Sequence, residues 1–244
     1  MARIAFSDTT NLNGLLQIVA KKTGTANATT SSYTTAQKTV DINGALVNLL
    51  MIGMLSSGKW QADDTNQSGV PTYSFNLVSG TQAYAFTTDS SSPANQILEI
   101  QKIRIKNANG QWSDEIYQID KNNTDVSQFQ NITGTPEYFD LVGNNIVFYP
   151  TPSYNSTNGV ELTISRTPSY FLTSDTTKKA GIPDMFDDYL WLRPTYFYYL
   201  ENDQQKATGY KVELDKMESA IKKYYSNRNK TNTMVITTEQ IDSI

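Results

Sequence analysis

The 244 residues include no cysteine and no histidine. Without cysteine there is no disulfide framework, no thiol nucleophile and no thiolate metal site. Without histidine there is no Ser-His-Asp triad and no imidazole ligand, and the side chain best suited to proton transfer near neutral pH is missing. Charge is scarce too, with 20 basic and 24 acidic residues giving a net charge of −4. That balance confers no general affinity for nucleic acid or anionic lipid. Long apolar runs are also lacking. The apolar, uncharged stretch 42–58 contains Asn43, Gly44, Asn48 and Gly53. A membrane span needs about 20 predominantly apolar residues, so this stretch reads as a core helix and no membrane partner is expected. The opening Met1-Ala-Arg-Ile-Ala-Phe-Ser-Asp8 has no apolar signal region. The expectation is a soluble protein made in the cytoplasm.

What fills the chain is small polar residues, 30 Thr, 21 Asn and 21 Ser, together with 15 Tyr and 9 Phe. Periodicity divides it into three zones. Leu12, Leu15, Leu16 and Val19 predict a helix over about 9–22, and 24–35 reads as a Thr-rich loop. A second helix is predicted over 40–57, where apolar residues from Ile42 to Leu55 nearly encircle it and predict burial on most sides. From about 72 to 166 the period changes to two. Tyr73, Phe75 and Leu77 alternate, as do Val160, Leu162 and Ile164. Leu98 and Ile100 share one parity and Ile103 and Ile105 the other, which predicts a bulge or a break. Asn109-Gly110 and Gly143-Asn144-Asn145 read as turns, and Pro150-Thr-Pro152 as the end of pairing.

The last zone returns to helix. Pro183 suits a first helical turn, with Asp184, Asp187 and Asp188 at the positive dipole end. Residues 186–199 are half aromatic, and Pro194 is expected to kink or divide that helix. After Gly209, a stripe of Tyr210, Leu214, Met217, Ile221 and Tyr224 predicts another helix, with Glu218 and Lys222 paired outside. Residues 231–244 have no period and read as an extended tail. The fold class is therefore α+β: a helical bundle from both chain ends, an inserted antiparallel β-sandwich or barrel-like domain, and the tail. The boundaries are 1–60, 61–180, 181–230 and 231–244.

Candidate chemistry is sparse. Adjacent carboxylates at Asp63-Asp64 and Asp187-Asp188 do not flank a bond as glycosidase pairs do. No calcium-loop or phosphate-loop spacing occurs. Lys216, Lys222, Lys223, Arg228 and Lys230 make the last helix basic, which reads as a solvated face rather than a phosphate contact. The aromatics Tyr189, Trp191, Tyr196, Tyr198 and Tyr199 are candidates for core or subunit interface. No catalytic, metal or cofactor residue is assigned, and the protein is expected not to be an enzyme.

The run 134–199 carries a recognisable order. It reads Gly134-Thr-Pro-Glu-Tyr138, Asn145-Ile-Val-Phe-Tyr-Pro-Thr-Pro152, a strand ending Ile164-Ser-Arg-Thr-Pro168, Leu172-Thr-Ser-Asp175, then Ile182-Pro-Asp184 before a helix. This order resembles the head-to-tail adaptor (connector) proteins of tailed bacteriophages. Thr81-Gln-Ala-Tyr-Ala-Phe86 and Ile42-Asn-Gly-Ala-Leu-Val-Asn48 are similar to that family's first hairpin and amino-terminal helix. The resemblance implies a structural ring in the virion neck, usually of twelve copies, between portal protein and tail or nozzle proteins. It also implies that genomic DNA passes through the ring without sequence-specific binding. The carboxy-terminal segment would then reach the portal or a neighbouring subunit, with Met234, Val235, Ile236, Ile241 and Ile244 as anchors. The alternatives are another neck or tail component, or a carbohydrate- or receptor-binding β module. A sugar binder would present several Trp or Tyr on one strand face, whereas Trp60, Trp112 and Trp191 fall in three different zones.

Overall fold

The computed structural model describes residues 4–25, 33–57, 72–86, 97–120, 126–129 and 132–228. These residues form a mixed α+β structure of two units. One is drawn from Met1–Trp60 and Tyr170–Ile244, the other from Gln61–Ser169.

In the first unit four helices pack on one another: α1 (Leu15–Thr23), α2 (Thr35–Ser57), α3 (Tyr189–Asn202) and α4 (Gln204–Arg228). α2 touches the other three, and α3 likewise. Their shared core includes Leu15, Val19, Ile42, Leu46, Leu49, Leu190, Leu214 and Ile221, all essentially buried. By length and composition α2 could cross a membrane, but one face of it is packed into this core.

Local chemistry moved three helix starts. α1 begins later than its apolar spacing predicts. The Asp8 carboxylate accepts the Thr10 and Asn11 N–H groups at 3.1 and 2.9 Å, holding a turn, and Leu12 has φ 57°. Gly14 lies so close to this turn that a Cβ there would sit 2.4 Å from the Asp8 backbone nitrogen. Leu12 is accordingly exposed, not part of the stripe.

α2 begins earlier than expected because Thr34 and Gln37 form a capping box. The Gln37 N–H donates to Thr34 Oγ1 at 3.3 Å, and the Thr34 N–H donates to Gln37 Oε1 at 2.7 Å. Thr34→Ala is expected to destabilise the helical unit by about 1 kcal/mol, read as a lowered denaturation midpoint at unchanged slope. α4 begins at Gln204, where the Asp203 carboxylate caps it by accepting the Lys206 N–H at 3.2 Å. α3 runs through Pro194 without dividing.

The second unit holds β1 (Thr72–Leu77), β2 (Ala83–Ala85), β3 (Ile97–Lys106), β4 (Trp112–Gln118), β5 (Thr133–Gly134), β6 (Tyr138–Val142), β7 (Asn145–Tyr149), β8 (Thr151–Pro152) and β9 (Ser156–Arg166). Seven strands make one sheet in the order β1-β9-β3-β4-β6-β7-β2, and β5 pairs with β8. Both predicted turns are present, with positive φ at Gly110 and Gly143. Of the predicted bulge or break, the structure has a register shift between Ile100 and Lys102 against β9, within one continuous strand.

Two expectations need correction. The sheet is not wholly antiparallel, because β4 runs parallel to β6 through Tyr117↔Tyr138 and Gln118↔Phe139. β4 pairs with β3 along its first part and with β6 along its last, so it turns a corner. Nor does Pro150-Thr-Pro152 end pairing. After a cis Tyr149–Pro150 bond, Thr151 and Pro152 pair in parallel with Thr133 and Gly134.

The result is a curled sheet rather than two stacked ones. Its end strands approach each other through side chains, with the Phe75 and Tyr84 rings 5.2 Å apart. The Tyr84 hydroxyl also accepts the Val78 N–H at 2.9 Å. Ile103, Ile105, Ile146, Phe148, Val160, Leu162 and Ile164 fill the inside, each fully buried.

Candidate functional site

The carboxylate pair at the start of α3 is engaged in holding the fold. Asp187 is buried and accepts the Ile4 N–H at 3.0 Å. Asp188 accepts the Trp191 indole N–H at 2.8 Å. Asp63 and Asp64 lie outside the described residues. Among the described residues no group of three or more Asp or Glu is placed to hold a metal ion.

The five aromatic interface candidates divide by burial. Tyr189 is fully buried inside the subunit and Tyr199 nearly so, so both belong to the core half of the reading. The Tyr189 hydroxyl meets Asn48 on α2 and donates to Glu218 on α4 at 3.1 Å. Burial first, and then the Glu218 charge, push that hydroxyl well above the ordinary phenol range. Glu218 therefore turns inward, and the expected exposed pair with Lys222 is replaced by Lys211 with Asp215.

Tyr199 stacks on Tyr210 at 5.5 Å and donates to the Lys22 carbonyl at 2.8 Å, tying α3 to α4 and α1. Trp191, Tyr196 and Tyr198 are half-buried. Lys22 lies over the Trp191 ring at 5.1 Å, and Tyr198 stacks on Tyr33 at 5.1 Å.

The expectation that α2 is buried on most sides needs correction, because one side of it is exposed. On α2, Val40, Met51 and Leu55 are 69%, 53% and 85% exposed. With Gly44 and half-buried Val47 they are spaced by steps of three and four residues, so they form one outward stripe. The signal was present: a helix apolar all round offers more apolar surface than one core face takes up.

Where this stripe begins, an open groove of about 570 Å³ lies between the first turns of α2 and the end of α3. Ala36, Val40 and the rings of Tyr33, Tyr198 and Phe197, the last 41% exposed, supply its apolar lining, and Asp41 and Glu201 its charge. No cation lines it. The Tyr33 hydroxyl donates to Asp41 at 2.6 Å. Burial and that carboxylate push the phenol far above its usual range. Beneath the Tyr33 ring Lys38 is buried, and burial lowers its pKa. The Arg193 guanidinium lies over the Phe197 ring at 4.7 Å.

On the β unit, Arg104 and Lys106 lie 5.3 and 4.8 Å from the Trp112 ring. Tyr117 and Tyr138 are adjacent in register and exposed. Trp60 lies outside the described residues, and Trp191 is in the helical unit.

A family model described as SU10 adaptor protein matches residues 55–237, about three quarters of the chain. The chain belongs to the SU10 adaptor protein family. This is the phage head-to-tail adaptor family to which the order of motifs pointed, a family of structural proteins rather than enzymes. A search of curated proteins finds no match.

The adaptor match takes in every described strand, α3 and α4, whereas α1 and nearly all of α2 precede it. Within it, the motifs 134–138 and 145–152 converge on one knot. The Glu137 N–H donates to the Tyr149 carbonyl at 2.9 Å, and the Ser153 N–H to the Gly134 carbonyl at 3.1 Å. Leu172-Thr-Ser-Asp175 is a closed turn, with the Leu172 N–H donating to the Asp175 carboxylate at 2.8 Å. Met234, Val235, Ile236, Ile241 and Ile244 lie outside the described residues.

Proposed function

We propose that this adaptor is a structural ring component of a phage neck, holding portal to tail and letting DNA pass. The membership of residues 55–237 in the adaptor family carries this reading. Portal and tail proteins are the partners that the family implies, and the virion neck is the location. Twelve copies, a lumen that does not grip DNA, and chain boundaries at 60, 180 and 230 are parts of the same proposal. A net charge of −4 supports the sliding of DNA, since affinity for duplex rises with the number of phosphates neutralised. An outward apolar stripe on α2 supports subunit contact, because exposed apolar patches mark interaction surfaces.

Residues 231–244 are proposed to dock on the portal or a neighbour through Met234, Val235, Ile236, Ile241 and Ile244. Burying one such side chain contributes roughly 1.5–3 kcal/mol. Repetition around a ring multiplies modest single contacts. The test is the mass of the purified protein, alone and mixed with portal, for the full chain and for a chain ending at residue 230. A ring-sized complex with portal for the full chain, weakened by the truncation, is expected. Monomers under both conditions for the full chain would overturn the ring, and an unchanged truncated complex would overturn the docking role.

A further inference from the structure

The outward stripe of α2 ends beside the point where α4 ends. Asn48 on α2 and Glu218 on α4 share the Tyr189 hydroxyl. Further along both helices, the Tyr225 ring lies 3.1 Å from where a Cβ on Gly53 would sit. The two helices therefore run in the same direction, and Arg228, the last residue of α4, comes level with the Leu55 end of the stripe. Sixteen residues follow Arg228. Extended, they span about 50 Å, whereas the stripe from Leu55 back to Val40 is about 22 Å long.

The two segments also match in chemistry. No residue of the stripe, Val40, Gly44, Val47, Met51 and Leu55, is charged or polar. At exposed Gly44 an added Cβ would have Arg193 Nη1 as its nearest side-chain atom, at 3.9 Å, so the stripe has a notch with one cation beside it. Residues 229–244 carry Met234, Val235, Ile236, Ile241 and Ile244, with Glu239 among them.

We infer that the carboxy-terminal segment lies back along the α2 stripe of its own chain until the portal takes it. Residues 229–233 cross the end of α2, Met234, Val235 and Ile236 cover Leu55 and Met51, and Ile241 reaches Val40 past Gly44. Val235 and Ile241 are about 20 Å apart when extended, close to the length of the stripe, and Glu239 falls between them on the side of Arg193. The tether makes the chain itself the occupant: it starts at the edge of the stripe and gives an effective concentration on the order of millimolar. The release step rests on the portal-docking reading, to which this adds the surface that holds the segment beforehand. The segment and a neighbouring subunit cannot cover the stripe together, so its transfer to the portal frees the stripe for subunit contact.

The lack of cysteine makes the test direct, because an engineered pair reports one contact. Full-length protein with Leu55→Cys and Val235→Cys, and protein with Val40→Cys and Ile241→Cys, are oxidised when dilute. Non-reducing electrophoresis and peptide masses then locate the bond. The control carries Val212→Cys and Ile241→Cys. Val212 is 51% exposed and lies about 24 Å back from the end of α4, so the tether reaches it as readily as Val40. A disulfide needs Cα atoms within about 7 Å. Both stripe pairs are expected to close within one chain about ten-fold or more faster than the control. Thermal midpoints of the reduced proteins should match the wild type, since Val40, Leu55 and Val212 are exposed.

Stripe pairs that close no faster than the control overturn the inference. Bonds between two chains in place of bonds within one also overturn it, and assign the stripe to a second copy. Portal added before oxidation is expected to lower the yield. An unchanged yield in portal-bound protein would overturn the portal contact of the segment, and its release with it, while the contact with α2 would stand.

Discussion

Tyr189→Ala is expected to unfold the helical unit at physiological temperature, whereas Tyr189→Phe should leave it folded but weakened. The ring is fully buried at the start of α3. Deleting a buried aromatic of this size costs about 3–5 kcal/mol. The hydroxyl also reaches Asn48 on α2 and Glu218 on α4, so removing it leaves polar groups on two other helices without their shared partner. Both groups are half-buried, so each lost hydrogen bond adds about 0.5–1.5 kcal/mol. Typical total stabilities are about 5–15 kcal/mol, so the alanine variant should lose most of its margin. The phenylalanine variant keeps the packing and pays only the polar part. Urea titrations followed by circular dichroism separate the two: a collapsed helical signal for Tyr189→Ala, a shifted midpoint for Tyr189→Phe. A midpoint shift of less than about 1 kcal/mol in the alanine variant would contradict the assignment of Tyr189 to the core.

The second large effect is expected at Phe148. Its ring is fully buried on β7 and lies 5.5 Å from Tyr84 on β2. The same cluster contains Ile103 and Ile105 from β3 and Leu162 from β9, so Phe148 joins both halves of the curled sheet. Phe148→Ala should cost about 3–5 kcal/mol, and Phe148→Leu less than about 1.5 kcal/mol if the neighbours repack. Hydrogen exchange gives the readout. In Phe148→Ala, protection should fall across β3, β7 and β9, while α3 and α4, which have their own core, keep theirs. Unchanged protection in β3 and β9 would mean that the two halves of the sheet do not share one core.

Much of this architecture is legible before any coordinates are seen. Alternation at 73–77 and 160–164 marks β1 and β9, because a strand with one buried face repeats every two residues. The parity change between Ile100 and Ile103 locates a register shift for the same reason. The stripe through Leu214 and Ile221 marks α4, and the order of motifs from Gly134 to Ile182 leads to the adaptor family.

Short-range polar chemistry is harder to read by periodicity. The Thr34–Gln37 box lies ahead of the apolar run, and the Asp8 turn lies inside one, so helix starts move at both places. A helix start depends on which side chain takes up the free N–H groups, and apolar spacing carries no record of that.

Three features were decided only by the tertiary structure. β4 lies parallel to β6, and whether two strands run parallel depends on where the chain between them returns, which no local signal encodes. Among the aromatics at 186–199, Tyr189 and Tyr199 go inward and Phe197 outward. A helix that is aromatic on every side presents no preferred face until its partners are placed. The same holds for α2, where Val40, Met51 and Leu55 are as apolar as Ile42, Leu46 and Leu49. By itself, then, the sequence determined the elements, the absence of histidine and cysteine chemistry, and the family. Tertiary packing determined which of its chemically equivalent apolar residues are left outside, since burial depends on how many neighbours a helix has and where they lie.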